Sequence, residues 1–265
     1  MAGALAAPAA RSSRRIGLAA ITRREVVRVT KLWTQTILAP VVASALFILV
    51  FGLSLGERIR EVDGFPYEQY IVPGLIAMAM AQAAYGNNSA SLFQARFDRY
   101  LHDVLSAPIR SWEVNLGLTL GGAVRALLIG GALLAIAVPL TGVPVREPLV
   151  LVVAVFLLLL LFCSLGVVVG IYANTWDHTS FINNLVILPL SFLGGVFYSV
   201  ESLPSPWEEV SHLNPVFFMI SGVRYGFLGE ADVPIGLALA VTAVLGAACF
   251  AWSSHLFRTG RRLKP

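Results

Sequence analysis

The chain has 265 residues, 57% hydrophobic and 13% charged, with a formal net charge of +4. Soluble domains carry roughly 25% charged residues, so a soluble fold of this size would lack the charge to cover its surface. That excludes an ordinary cytosolic enzyme, a disordered protein and a nucleic-acid-binding module, and no nucleic acid is expected among the partners.

Residues 1–13 are small and Ala-rich and read as a disordered tail. The pairs Arg14-Arg15 and Arg23-Arg24 mimic a twin-arginine signal, but a full-length span follows them, so no cleavable signal is expected. Residues 14–33 fit an amphipathic interfacial helix: Arg24, Arg28 and Lys31 share one face and Trp33 marks the interface. A spanning helix needs about 20 mostly apolar residues to cross roughly 30 Å of hydrocarbon. Six segments qualify, near 34–55, 70–90, 114–140, 149–172, 181–200 and 234–257. The second, with Gln82, Asn87 and Asn88, is the most polar. Segments of this length in a bilayer are helices, so the expected fold is all-α: a polytopic six-span domain over 34–257. A basic tail, 258–265, follows it.

Orientation follows from the Lys and Arg bias. With both ends cytoplasmic, fourteen of the nineteen Lys and Arg lie inside and four outside, with Arg125 alone in a span. The expected topology is N-in and C-in.

Three connecting segments stand out. In 92–108, Phe93, Phe97, Tyr100, Leu101 and Val104 recur with a helical period. Gln94, Arg96, Asp98, Arg99, His102 and Asp103 take the opposite face, and Pro108 ends the run. A mixed-charge face beside an aromatic stripe suits a soluble protein partner on the cytoplasmic side. The short loop 173–180 carries Asn174, Asp177 and His178; the Asp-His pair alone is weak evidence for a metal, and a second partner contact fits better. The external segment 201–233 is too long for a turn and too apolar for a free loop. A re-entrant pair of short helices fits, and Arg224 within it needs a partner. Two GxxxG patterns, Gly117 to Gly121 and Gly166 to Gly170, permit close helix approach, and the first suits contact with a second permease.

Chemistry is sparse. Cys163 and Cys249 lie in apolar runs as packing residues. There is no phosphate-binding G-x-x-x-x-G-K-[ST] loop, no nucleophile–base pair in a span and no carboxylate well inside one. The chain reads as a membrane protein that borrows energy from a soluble partner. An ion-coupled carrier or channel and an intramembrane lipid enzyme are the competing readings.

Several motifs carry a family resemblance: Val72-Pro73-Gly74-Leu75, the segment closing in LSAPIR, Gly194-Gly195-Val196-Phe197-Tyr198-Ser199, Leu203-Pro204, Trp207, Leu213-Asn214-Pro215 and the run 222–229. Together they resemble the permease subunit of type-2 ATP-binding cassette (ABC-2) exporters, in the branch holding daunorubicin-resistance and nodulation-factor export permeases. The resemblance implies a dimer of six-span permeases, each the same chain or a relative, in the cytoplasmic membrane of a bacterium. Two cytoplasmic ATPase subunits would carry ATP and Mg, this chain binding no cofactor and having no catalytic residue of its own. It implies a main coupling helix bearing Phe93, Arg96, Phe97, Arg99, Tyr100, Leu101 and Val104, with a second coupling contact at Asn174, Asp177 and His178. It also implies a pathway along the first and fifth spans, where Thr36, Ser44, Asn183, Asn184, Ser191 and Phe197 are candidates for contact with an amphipathic, drug-like or lipid-like cargo. Tyr198, Trp207, Asn214 and Arg224 would form an external gate. Membrane lipids are the remaining partner.

Overall fold

A computed structural model describes residues 6–56, 58–106, 109–260 and 262–263, without the side chains of 6–16, 53–55, 102 and 103. Pro108 and the side chains of His102 and Asp103 thus lie outside the described residues, as does the start of the tail, 1–5.

Among the described residues the regular structure is helical apart from one two-stranded hairpin. In order come α1 (Ala6–Lys31), a π-helical turn (Thr34–Leu38), α2 (Ala39–Gly56), β1 (Glu61–Val62) paired antiparallel with β2 (Phe65–Pro66), and α3 (Tyr67–Phe97). Then follow α4 (Leu101–Ser106), α5 (Ser111–Thr141), α6 (Pro148–Tyr172), α7 (Trp176–Ile182), a second π turn (Asn183–Ile187) and α8 (Leu188–Leu193). A 3-10 turn (Val200–Ser202), α9 (Trp207–His212), α10 (Pro215–Leu228) and α11 (Ile235–Thr259) complete the fold.

Among the described residues, four helices are long and apolar enough to cross a membrane: Thr34–Gly52, Ser111–Thr141, Pro148–Tyr172 and Ile235–Thr259. The other two expected spans differ for physical reasons. α3 is 31 residues long but polar, because it is the central helix and packs on α2, α5, α6 and α10. Two of its polar groups bond neighbouring helices: Asn88 Nδ2 donates to the Cys163 carbonyl at 3.0 Å and Tyr85 Oη to the Thr179 carbonyl at 2.8 Å. The helical segment at the expected fifth span begins earlier than 181, at Trp176, and ends at Leu193, where Gly194 and Gly195 (φ +80°) release the chain. Both π turns precede a proline. Pro40 and Pro189 supply no N–H and crowd the carbonyl four residues back, and the helix widens there.

α1 starts at Ala6, inside the segment expected to be disordered; Ala has the highest helix propensity. It does not lie apart from the bundle. Gly117 and Gly121 of α5 leave room for Ile21 and Glu25, and a Cβ on either glycine would collide with them. This GxxxG pattern therefore seats α1 and is not free for a second permease, which corrects the expectation. Gly166 and Gly170 of α6 do the same for the α3 backbone at Tyr85 and Ser89. The expected pair of short helices in 201–233 is α9 and α10, the second nearly all buried.

Candidate functional site

Three features stand out. The first is at the basic end, where α3 and α6 finish. The amphipathic helix expected across 93–104 is broken: α3 stops at Phe97, Arg99 takes a left-handed conformation (φ +60°), and α4 resumes at Leu101. The apolar stripe is split accordingly. Phe93 and Leu101 are buried, Tyr100 and Val104 half-buried, and Phe97 is 71% exposed. The cause is Arg96, whose Nη1 donates to the carbonyls of Gly170 (3.1 Å), Ile171 (2.6 Å) and Ala173 (2.9 Å). It caps α6 by satisfying orphan carbonyls of its last turn, so it is not a free surface cation. Arg99 remains exposed. Tyr100 lies under the Arg24 guanidinium, 5.0 Å from its ring centroid. Burial raises its phenol above the ordinary range, and Arg24 partly offsets this.

The segment 173–180, expected as a second partner contact, touches the first directly. The Trp176 ring packs edge-on against Phe93 at 4.8 Å, and Phe93 stacks on Phe97 at 6.2 Å. Thr175 caps α7 by accepting from the His178 N–H at 3.3 Å. His178 Nδ1 in turn accepts from the Asn174 N–H, and Asp177 sits exposed in the first turn of α7. Phe97 and Trp176, both exposed, thus flank the same Phe93 ring, and the exposed Arg99 and Asp177 lie close to them in sequence.

The second feature is a cleft of about 540 Å³ between α2, α3 and the α7–α8 segment. Ser44, Asn183 and Asn184 line it, as expected. Thr36 and Ser191 do not: the Thr36 hydroxyl bonds the Val29 and Leu32 carbonyls, and Ser191 is fully buried with its hydroxyl on the Ile187 carbonyl. Phe197 backs the far end of the cleft, in a cluster with Phe51 (4.9 Å) and Phe192 (5.5 Å). Sequence reasoning missed α3 as a wall. Gln82, Tyr85 and Ser89 line the cleft, and so does Arg125 of α5. The signal for Gln82 and Arg125 was present, since both interrupt otherwise apolar segments.

The third feature closes the opposite end. Arg224 is 2% exposed, and its Nη1 donates to Asp232 Oδ2 at 2.7 Å. Its Nη2 donates to the Gly195 carbonyl and its guanidinium lies 4.1 Å from the Tyr70 ring centroid. Asn214 caps α10 by accepting from the Val216 N–H, while its Nδ2 donates to the Leu190 carbonyl at 2.6 Å. Gly74 abuts the Val196 backbone, with no room for a Cβ at ordinary distance. The VPGL, GGVFYS, LNP and GVRYGFLG motifs are therefore one packed knot. Tyr198 is half-buried beside it, whereas Trp207 is exposed and outside it.

Comparison with known proteins agrees with these motifs. Residues 17–228 match the family described as ABC-2 type transporter. The chain is 39% identical over 251 residues to the inner membrane transport permease YadH of Escherichia coli K12, covering 94% of this chain and 97% of YadH. It is 26% identical over 247 residues to nodulation protein J of Rhizobium meliloti, covering 93% and 94%. Nodulation protein J of Rhizobium leguminosarum bv. viciae is 26% identical over 245 residues, covering 92% and 94%.

Proposed function

Because this chain belongs to the ABC-2 type transporter family, we propose that it is the permease subunit of an ATP-driven exporter in a bacterial inner membrane. Six spans cross the bilayer: α2, α3, α5, α6, the α7–α8 segment and α11. Both termini lie in the cytoplasm, α1 rests in the inner headgroup layer, and α9–α10 re-enter the outer leaflet. Two copies of an ATPase subunit dock at the basic end and hydrolyse ATP with Mg there. A second permease, a copy of this chain, closes the cleft. The cargo is hydrophobic or amphipathic.

One observation carries this reading. Trp176 begins the α7–α8 wall of the cleft, and its ring rests on Phe93 beside the exposed Phe97. A partner that grips Phe97 and Trp176 thereby holds the cleft wall itself. ATP shifts the permease only through the partner's different affinity for its two states, and this packed aromatic path is what transmits the difference.

The experiment is affinity purification of the tagged full chain from its native membranes in mild detergent, with identification of bound proteins. A stoichiometric ATPase is expected. Recovery of the chain alone, under conditions that preserve comparable complexes, would count for an ion-coupled carrier instead.

A further inference from the structure

The cleft contains a cation that nothing described in the chain neutralises. Arg125 lies near the midpoint of the 31-residue α5, about 20 Å from either end at 1.5 Å per residue. Its Nε donates to the Thr36 carbonyl at 3.0 Å. That carbonyl is available because Pro40, four residues on, has no N–H to give it. The other N–H groups of Arg125 meet no acceptor among the described residues. The ion pairs found there are Arg24–Glu25, Arg28–Glu25 and Arg224–Asp232, and none includes Arg125. The charge that acts on it is another cation, Arg28, whose Glu25 partner is shared with Arg24.

A second copy could not supply the missing anion at that depth. None of the segments 34–55, 70–90, 114–140, 149–172, 181–200 and 234–257 contains Asp or Glu. An unpaired guanidinium at mid-membrane is unfavourable, and such groups mark ligand paths. Arg125 shares its cleft with Ser44, Gln82 and Asn184 on the polar side and Phe47 and Phe192 on the apolar side. The cleft is therefore amphipathic as well as cationic.

We propose that Arg125 is the recognition group for an anionic amphiphile. The cargo's phosphate, sulfate or carboxylate pairs with the two Nη groups, and its apolar part lies along Phe47 and Phe192. With Nε held by Thr36, the two Nη groups present the end of the guanidinium fork, which suits two oxygens of one anion. This rests on the cleft being the cargo pathway and adds the chemical class of the cargo.

The test measures binding of a fluorescent short-chain phosphatidic acid and its phosphatidylcholine counterpart to the purified permease in neutral-lipid nanodiscs. The wild-type chain is expected to hold the acidic probe about tenfold more tightly, the yield of one charge-assisted contact. R125Q is expected to abolish that preference, and R125K to keep part of it without the fork geometry. Equal binding of the two probes by the wild type overturns the proposal, as does an undiminished preference in R125Q. If R125Q does not fold, the wild-type ratio and R125K decide. Displacement of the acidic probe by millimolar inorganic phosphate would mean a site for a free anion and also overturns it. The ATPase co-purification uses the wild-type chain and no probe. An intact complex without acidic preference therefore sinks only the cargo class, while absence of the ATPase sinks the permease reading itself.

Discussion

Glu25 is the residue that builds α1 into the bundle. It is 1% exposed, pairs with Arg24 and Arg28 at 2.7 Å each, and accepts from the Ser91 hydroxyl at 2.8 Å. Arg28 carries the network on to Asn87 of α3. Replacing Glu25 by Gln keeps the shape but leaves two guanidinium groups without a counter-charge. Arg24 and Arg28 reach partly into solvent, so water screens the charges left behind and the loss is smaller than for a fully buried pair. E25Q should therefore lower the thermal midpoint of the purified permease and expose α1 to protease; an unchanged midpoint and cleavage pattern would show that α1 is held by packing alone. Arg224 makes the same argument at the opposite end. D232N should loosen the α8–α10 knot, read as faster hydrogen exchange at 214–228, with α1 and α5 unaffected. In sequence, Glu25 is one acid in a basic stretch and Asp232 one of five acids in 201–233, so their partners are not legible from local pattern. Each bond depends on a residue brought in from elsewhere in the chain.

The surface proposed for ATPase docking is decided at the level of elements. Helical periodicity places Phe93, Phe97, Tyr100, Leu101 and Val104 on one stripe, and the break at Arg99 separates them. Periodicity misreads this stretch because Arg96 is drawn to the end of α6, and the gain of three carbonyl contacts outweighs one more turn of helix. The consequence is a division of labour. Phe97→Ala should reduce ATPase association at least several-fold in a pull-down while leaving the yield and monodispersity of the permease unchanged, since its ring is exposed. Tyr100→Asp should disturb α1 as well, because Tyr100 sits beneath Arg24. Retained ATPase binding by the Phe97→Ala variant would move the docking surface away from Phe97.

For the whole molecule the test is orientation and access. Reporter fusions at both termini should be active only in the cytoplasm, and a tag inserted near Glu230 only outside; a terminus on the other side would reverse the positive-inside assignment. A cysteine placed at Asn184, in a chain with Cys249 replaced by Ser, should react with a water-soluble maleimide in the isolated permease. The buried Cys163 should stay silent. Failure of Asn184→Cys to react would mean that the cleft is sealed without a second permease.

The linear chain already carries the membrane class, the helical content, the charge asymmetry between the ends and the family motifs. Hydropathy and charge act residue by residue, so a one-dimensional reading can sum them. It also singled out Arg125 as an odd charge in a span. What that charge faces, the seating of α1 on Gly117 and Gly121, the central place of α3 and the capping role of Arg96 emerge only once the helices are packed. These depend on which faces of helices far apart in sequence meet, as Arg125 meets Thr36 and Tyr85 meets Thr179. Such pairings are set by shape and by satisfying buried polar groups, which no local pattern encodes.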